Sequence, residues 1–222
     1  SLNIFDWIGG KSNKSSNRKH YSVNESLLKK CNNIMVNDNK SHKDYSDCKQ
    51  FFKSFLTGFE PAFDFEKWSK PIVEGSHNCY VYFLDDIVNY TFEQCEIICK
   101  KNNNCHKKDS ECARLKPQPG KYAFYNNLRN NINDKFTCKS MLKGIKDDNP
   151  SIKVLNKFEE KCPRGFYKGA LVIDTNDTYH FYRQDNDGLW SHKPGTLPIT
   201  KKDANGNLIY VPHLSDMNYN KL

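Results

Sequence analysis

The chain has 222 residues, a formal net charge of +8 and 37% hydrophobic residues, of which many are aromatic. This length is enough for one compact domain with a helical extension, and 13% aromatic residues can build a core, which excludes a chain that is disordered throughout. No apolar run approaches the ~20 residues that a membrane-spanning helix needs, so an integral membrane protein is excluded. No secretory signal is visible, so an intracellular protein is expected.

The positive charge comes almost entirely from lysine, since the chain has 29 Lys but only 5 Arg, together with 26 Asn. Proteins that read bases rely on the bidentate fork of arginine, and here lysine is scattered along the whole chain. The composition therefore argues against nucleic acid as a partner. A remaining possibility is a protein that packages nucleic acid through its positive charge alone. Such a protein would lose its affinity for nucleic acid steeply as the salt concentration rises.

The N-terminal third is predicted to be an arm followed by helices. Residues 1–24 carry a short apolar patch and then a Lys/Ser/Asn run, which predicts a mobile arm that could dock on a protein partner. Residues 25–69 are predicted to form a helical extension because their apolar residues recur at helical spacing, and Gly58 and Pro61 end that pattern. The main domain is predicted to span residues 70–222.

A cysteine stands at the predicted start of a buried helix. Five apolar residues between positions 80 and 88 recur at i, i+3, i+4, i+7 and i+8, and Asn78 or Ser76 suits the N-cap. Cys79 would therefore lie in the first turn, where a thiolate is favoured. A nucleophilic cysteine also needs a base, usually histidine, that a third polar group holds in place. The competing interpretation is that Cys79 is a small hydrophobic residue of the core.

Two histidines on predicted strands could supply the base and its orienting group. Short alternating runs at 169–174, 179–184 and 189–193 predict antiparallel strands. A four-residue loop at 185–188 would place His180 on the same face as Ser191, whereas a three-residue loop ending at Gly188 would place it beside His192. Glycine at the third loop position favours the second register. His192 is therefore the predicted orienting group, and Ser191 is the fallback.

A cysteine-rich insert at 95–112 provides a second candidate site. The insert contains four cysteines, Cys95, Cys99, Cys105 and Cys112. His106 is a further residue that could bind a metal ion. Four thiolates within 18 residues suit tetrahedral zinc, although the usual two-residue spacing is missing. Disulfides fit the same spacing equally well. Either a structural zinc ion or disulfide bonds are expected here, and no cofactor is expected for catalysis.

The order of these features resembles the papain-like NlpC/P60 and CHAP amidases and peptidases, in which a cysteine at a helix start precedes histidines on successive strands. Five segments look like an uncharacterised group of proteins found in large DNA viruses and some bacteria: NCYVY at 78–82, KPQPG at 116–120, CPRGFYKG at 162–169, YHFYRQD at 179–185 and WSHKPG at 190–195. The resemblance implies an α+β papain-like core, with a helical N-terminal half and a small antiparallel β-sheet in the C-terminal half. It also implies that Cys79 is the nucleophile, His180 the general base and His192 the third member.

The function predicted from these features is thiol-dependent hydrolysis or acyl transfer at an amide bond, through an acyl-enzyme on Cys79. The substrate would be peptide-like or cell-wall-like: a peptide, an isopeptide or a peptidoglycan-type bond. The alternative is a structural or interaction protein of a virion that keeps the fold with a silent site. Asn78 and Lys121 favour this alternative, because the NlpC/P60 pattern usually has aspartate at both positions.

Overall fold

Five antiparallel strands form one sheet, and helices pack on both of its faces. The structure is a computed structural model that describes residues 6–10, 25–102, 111–120, 137–174 and 178–218. In chain order the strands are β1 (Asp6–Gly10), β2 (Ile152–Leu155), β3 (Gly169–Asp174), β4 (Thr178–Gln184) and β5 (Trp190–His192). Their order across the sheet is β2-β1-β3-β4-β5. The mixed composition of helices and a small antiparallel sheet agrees with the prediction.

Strand β1 comes from the segment that the sequence assigns to the mobile arm. It pairs with β2 on one side and with β3 on the other, so residues 6–10 lie inside the sheet. The assignment of these five residues to a free arm is therefore corrected. The rest of that arm lies outside the described residues.

Three helices follow in the predicted helical extension: α1 (Glu25–Val36), α2 (Tyr45–Lys53) and α3 (Phe65–Trp68). A disulfide between Cys31 and Cys48 joins α1 to α2, a pairing that the sequence did not suggest. Closing a loop of 17 residues contributes about 3 kcal/mol through the lost entropy of the unfolded chain.

Five further helices complete the described secondary structure, apart from a 3₁₀ turn at Pro212–Leu214. They are α4 (Pro71–Ser76), α5 (Cys79–Phe83), α6 (Asn89–Asn102), α7 (Glu111–Arg114) and α8 (Cys138–Asp148). The sequence pattern predicted that α5 continues past residue 84, and this prediction is wrong. The helix ends after Phe83 because Asp85 takes a positive φ of 53°, which interrupts the right-handed helix.

Two apolar clusters cover the two faces of the sheet. On one face, α1 and α2 pack against Ala170, Val172 and Tyr182. On the other face, α5 and α8 pack against Leu171, Ile173 and Phe181. These residues alternate along β3 and β4 with the residues of the first face. This alternation is the period-two pattern of strands buried on both sides. The helical extension and the C-terminal strands therefore share one core.

Gly144 is the point at which α8 touches the turn at 116–120. A Cβ atom at position 144 would lie 2.9 Å from the carbonyl carbon of Pro119 and 3.0 Å from its oxygen. We expect Gly144→Ala to destabilise the protein by about 1–3 kcal/mol in urea unfolding, because backbone atoms would have to move. The same change inside an ordinary helix stabilises by up to ~1 kcal/mol. Lys146→Ala, on the exposed side of α8, is the control and should change stability by less than ~0.5 kcal/mol.

Within the described part of the chain, no helix is both long enough and apolar enough to cross a membrane.

Candidate active site

The two histidines on β4 and β5 are in direct contact. Strand pairing places Tyr182 opposite His192, and Gly188 has a φ of +91°. These features confirm the predicted register with the shorter loop. The Nε2 atom of His180 lies 2.8 Å from the Nδ1 atom of His192, and their ring centroids are 4.9 Å apart.

A backbone carbonyl determines which nitrogen of each histidine carries the proton. The Nε2 atom of His192 lies 2.9 Å from the carbonyl oxygen of Lys202, which can only accept a hydrogen bond. His192 is therefore protonated on Nε2, so its Nδ1 accepts a hydrogen bond from Nε2–H of His180. Because His180 donates through Nε2, its Nδ1 is the basic nitrogen. We call this chain from His180 through His192 to the Lys202 carbonyl the histidine relay.

Burial keeps both rings of the histidine relay neutral. It lowers the pKa of His192 to about 4. The pKa of His180 is lowered well below its ordinary value by burial, and the charges of His192 and Lys193 act in the same direction. A neutral imidazole can accept a proton, but a pKa this far below its ordinary value makes His180 a weak base at neutral pH.

Cys79 is the first residue of α5, where the sequence placed it. The side-chain oxygen of Asn78 accepts hydrogen bonds from the backbone N–H groups of Tyr80 and Val81, which caps the helix. The amide nitrogen of Asn78 also donates to the carbonyl of Pro117 at 2.7 Å. The turn at 116–120 is therefore tied directly to the residue that precedes Cys79.

The thiol of Cys79 is buried, with 5% of the residue exposed, and it packs in the cluster of α5 and α8. Burial raises its pKa to about 11, although a hydrogen bond with the backbone of Phe181 and the charge of Lys193 act in the opposite direction. At neutral pH the thiol is thus protonated, so attack on a carbonyl requires a base.

The thiol of Cys79 contacts Phe181, the residue that follows His180 in β4. The thiol meets β4 at the backbone of Phe181, and the side chain of Phe181 packs in the same cluster as Cys79. His180 alternates with Phe181 along the strand, and its ring contacts Tyr182 and His192. The two histidines are therefore assembled on the face of the sheet that carries Tyr182, whereas the thiol of Cys79 lies on the opposite face, with Phe181. The fallback Ser191 instead bonds to the hydroxyl of Tyr82 at 2.7 Å.

Lys193 places a buried ammonium group next to this assembly. Its Nζ donates to the carbonyls of Glu74, Gly195 and Leu197 at 2.9, 2.8 and 3.2 Å, which matches the three N–H groups of an ammonium. Burial lowers the pKa of Lys193 to about 7. Lys193 directly follows His192, but a lysine in the sequence gives no sign of its burial.

Comparison with known proteins gives one partial match. Over 47 residues the chain is 45% identical to "Insoluble matrix shell protein 1" of Ruditapes philippinarum. The match covers 21% of this chain and 32% of that relative, so it spans about a third of the shell protein's length. No protein-family model and no solved structure matches the chain.

His77 is a further buried histidine, two residues before Cys79. Its position was not predicted from the sequence. Its Nε2 accepts a hydrogen bond from the backbone N–H of Val88 at 3.0 Å, so the proton is on Nδ1, 2.8 Å from the hydroxyl of Ser76. Burial lowers the pKa of His77 to about 4. A neutral His77 thus ties the end of α4 to the start of α6.

We expect the protein to lose stability as the pH falls from about 6.5 to about 4. In this range the unfolded chain protonates His77 and His192, whereas the folded chain does not, so acid favours unfolding by about 2 kcal/mol for each of these two at pH 5. The lowered pKa of His180 acts in the same direction. Asp185 acts in the opposite direction, because burial raises its pKa to about 6 and the folded state holds that proton. Three histidines outweigh one aspartate. The urea midpoint should therefore be lower at pH 5 than at pH 7.

His77→Gln is the matched control for this pH dependence. Glutamine can still accept the hydrogen bond from Val88 but does not titrate, so the difference between the two midpoints should shrink. An unchanged difference would show that His77 is not neutral in the folded protein.

The cysteine-rich insert contains disulfides in this structure. Cys95 and Cys112 are disulfide-bonded to each other, and Cys99 is disulfide-bonded as well. The fourth predicted ligand, Cys105, lies outside the described residues. Of the two chemistries left open by the sequence, the structure has the disulfide form. The three cysteines that the described residues leave as thiols are Cys79, Cys138 and Cys162.

Proposed function

We propose that the protein is a thiol-dependent hydrolase or acyltransferase that acts on amide bonds through Cys79, His180 and His192. The observation that carries this proposal is the histidine relay, with contacts of 2.8 and 2.9 Å that assign the basic nitrogen of His180. The two buried neutral histidines bond to each other and to a backbone carbonyl, which defines the tautomer of each ring. They are the arrangement that a base and its orienting group require.

The reaction begins with a proton transfer, since the Cys79 thiol has a pKa of about 11. Because Cys79 and His180 lie on opposite faces of β4, this transfer requires a local rearrangement that brings Sγ within hydrogen-bond reach of Nδ1 of His180. His180 takes the thiol proton as Sγ attacks the carbonyl carbon, and a tetrahedral oxyanion forms. His180 then gives this proton to the leaving amine, which leaves a thioester on Cys79. Water or an acceptor amine cleaves the thioester and regenerates the thiol.

The surroundings affect the two charges of this step differently, because burial and the charge of Lys193 both disfavour the imidazolium on His180. The imidazolium that forms on His180 keeps its hydrogen bond to Nδ1 of His192, which prevents the ring from turning. The buried ammonium of Lys193 favours the thiolate, as the direction of its effect on the pKa of Cys79 indicates. A papain-like core belongs to this proposal. It is supported by the order of α5, β4 and β5 and by the confirmed register of the last two.

The substrate class follows from the same chemistry. A cysteine–imidazole pair acts on peptide-like carbonyls, so a peptide, an isopeptide or a peptidoglycan-type amide is the expected substrate. A panel of peptide-like electrophiles, such as vinyl sulfones, tests this directly. We expect labelling at Cys79 that disappears in Cys79→Ser and persists in Cys162→Ser. Failure of every electrophile to label native Cys79, under conditions where the unfolded chain is labelled, would refute the proposal.

The second candidate is a structural protein of an extracellular matrix or a virion that disulfide bonds stabilise. The partial similarity to a shell matrix protein, the disulfides and the buried Cys79 support this candidate. Such bonds persist in oxidising surroundings, which fits a secreted or particle-bound protein better than a cytosolic one. This candidate predicts an inert Cys79 in the folded protein.

A further inference from the structure

Three buried sulfur atoms meet between α6 and α7. Cys95 and Cys99 stand one turn apart on α6, so they share one face of that helix, and Cys112 comes from α7. All three are buried, with exposed fractions of 0%, 8% and 0%. Their Sγ atoms all lie within 4.8 Å of one another. We call these residues the sulfur cluster.

The spacing of the sulfur cluster matches the edges of a zinc–thiolate tetrahedron. Zinc binds thiolate sulfur at about 2.3 Å, which places two sulfurs of a tetrahedral site about 3.8 Å apart. The Sγ atom of Cys99 is 3.8 Å from that of Cys95 and 3.8 Å from that of Cys112. Two of the three edges therefore have the length of a zinc site. The third edge is the disulfide between Cys95 and Cys112.

We propose that the sulfur cluster is a redox-gated zinc site: it holds disulfides in oxidising surroundings and binds one Zn²⁺ after reduction. This site is separate from Cys79 and does not depend on the proposed function. The partly buried apolar side chains packed against it, Ile72, Ile98 and Leu115, carry no metal-binding atom. A water molecule or another exogenous ligand completes the four-coordinate shell.

The conversion balances as two reductions followed by metal binding. A dithiol reductant gives two electrons and two protons to the Cys95–Cys112 bond, which breaks into two thiols while the reductant becomes a cyclic disulfide. A second dithiol frees the sulfur of Cys99 in the same way. Zn²⁺ then displaces the three thiol protons, because thiolate is the ligating form. Only the Cys95–Cys112 edge has to lengthen, since Cys99 already lies at the required distance from both.

Metal titration of the oxidised and the reduced full chain tests the proposal. The chain is reduced with a phosphine, the free thiols are counted by mass spectrometry, and Co²⁺ is added as a spectroscopic substitute for Zn²⁺. We expect one Co²⁺ per reduced chain, with thiolate-to-cobalt charge-transfer absorption that Zn²⁺ abolishes, and no uptake by the oxidised chain. Cys99→Ser should weaken the affinity at least about tenfold.

Two control variants separate the sulfur cluster from other thiols and from an unfolded chain. Cys162→Ser and the double change Cys31→Ser with Cys48→Ser should bind Co²⁺ as tightly as the wild type. If the reduced chain loses its near-ultraviolet circular dichroism, Zn²⁺ should restore it in the wild type and not in Cys99→Ser. No cobalt uptake by the reduced wild type, equal affinity in Cys99→Ser, or no recovery with zinc would each overturn the proposal and leave the sulfur cluster as packed disulfides.

Discussion

Replacing Arg183 by methionine should destabilise the protein by about 3–5 kcal/mol, which is the largest effect on stability that we expect from a single change. The guanidinium is fully buried and bonds to the carboxylate of Asp85 at 2.9 Å, and to the backbone carbonyls of Tyr82 and Ala62 at 2.9 and 3.0 Å. It therefore joins β4 to the end of α5 and to the loop before α3. Methionine fills part of the volume but satisfies none of these acceptors.

The largest part of the loss comes from Asp185, whose carboxylate lies 3.3 Å from the Nε atom of Arg183 and is fully buried. Burial already raises the pKa of Asp185 to about 6 in the presence of Arg183. Without the guanidinium, the carboxylate must either take up a proton or remain as a poorly compensated buried charge. Adding Asp185→Asn to Arg183→Met should therefore recover part of the lost stability.

Lys67→Met provides the control for Arg183. Lys67 binds the same carboxylate of Asp85 at 3.0 Å, but both side chains are 36% exposed. Removing such a pair costs less than about 1 kcal/mol. Urea unfolding of both variants measures the difference. Equal losses would contradict the view that the buried guanidinium organises this region.

The largest expected effect on activity comes from the histidine relay. His180→Ala should lower acylation of Cys79 by about 10⁴-fold, and His192→Ala by about 10²–10⁴-fold, because the second change lets His180 adopt the wrong tautomer. The initial release of nitrophenolate from a p-nitrophenyl ester measures acylation without knowledge of the natural substrate. His192→Asn keeps an acceptor for Nε2–H of His180, so it should be faster than His192→Ala.

Lys202→Ala is the matched control for the relay. The contact with His192 is made by the backbone carbonyl of Lys202, which every residue has. This variant should therefore acylate at the wild-type rate, with the same urea midpoint. A large loss in Lys202→Ala, or none in His192→Ala, would show that the relay does not determine the reactivity of Cys79.

Local signals in the sequence were sufficient for the histidine pair. The register of β4 and β5 depends on one tight loop, and Gly188 at its third position has the positive φ that this loop type needs. The start of α5 was equally local, since Asn78 is a good cap and Cys79 follows it. Both features involve residues that are close along the chain.

The features that could not be predicted depend on contacts between distant residues. Strand β1 pairs with β2 and β3, which lie more than 140 positions further along the chain, and nothing in residues 6–10 indicates those partners. The residue with positive φ just after α5, Asp85, bonds to Arg183, 98 residues away. Lys193 and His77 gain their roles from burial, which a charged or polar residue type does not suggest by itself.

The proposed nucleophile can be tested most directly by comparing two buried thiols of the same chain. Cys79 and Cys162 are 5% and 3% exposed, and burial raises the pKa of each to about 11. Cys162 packs in the cluster that contains Tyr182, whereas the thiol of Cys79 bonds to the backbone of Phe181, the residue after His180. The measurement is the rate of iodoacetamide alkylation at each cysteine between pH 4 and 9, read by mass spectrometry in the wild type and in His180→Ala. We predict that Cys79 reacts at least about 100-fold faster than Cys162 at pH 7 and falls to the rate of Cys162 in the variant. Equal and slow alkylation of both thiols in the wild type would contradict the catalytic account and favour a structural protein.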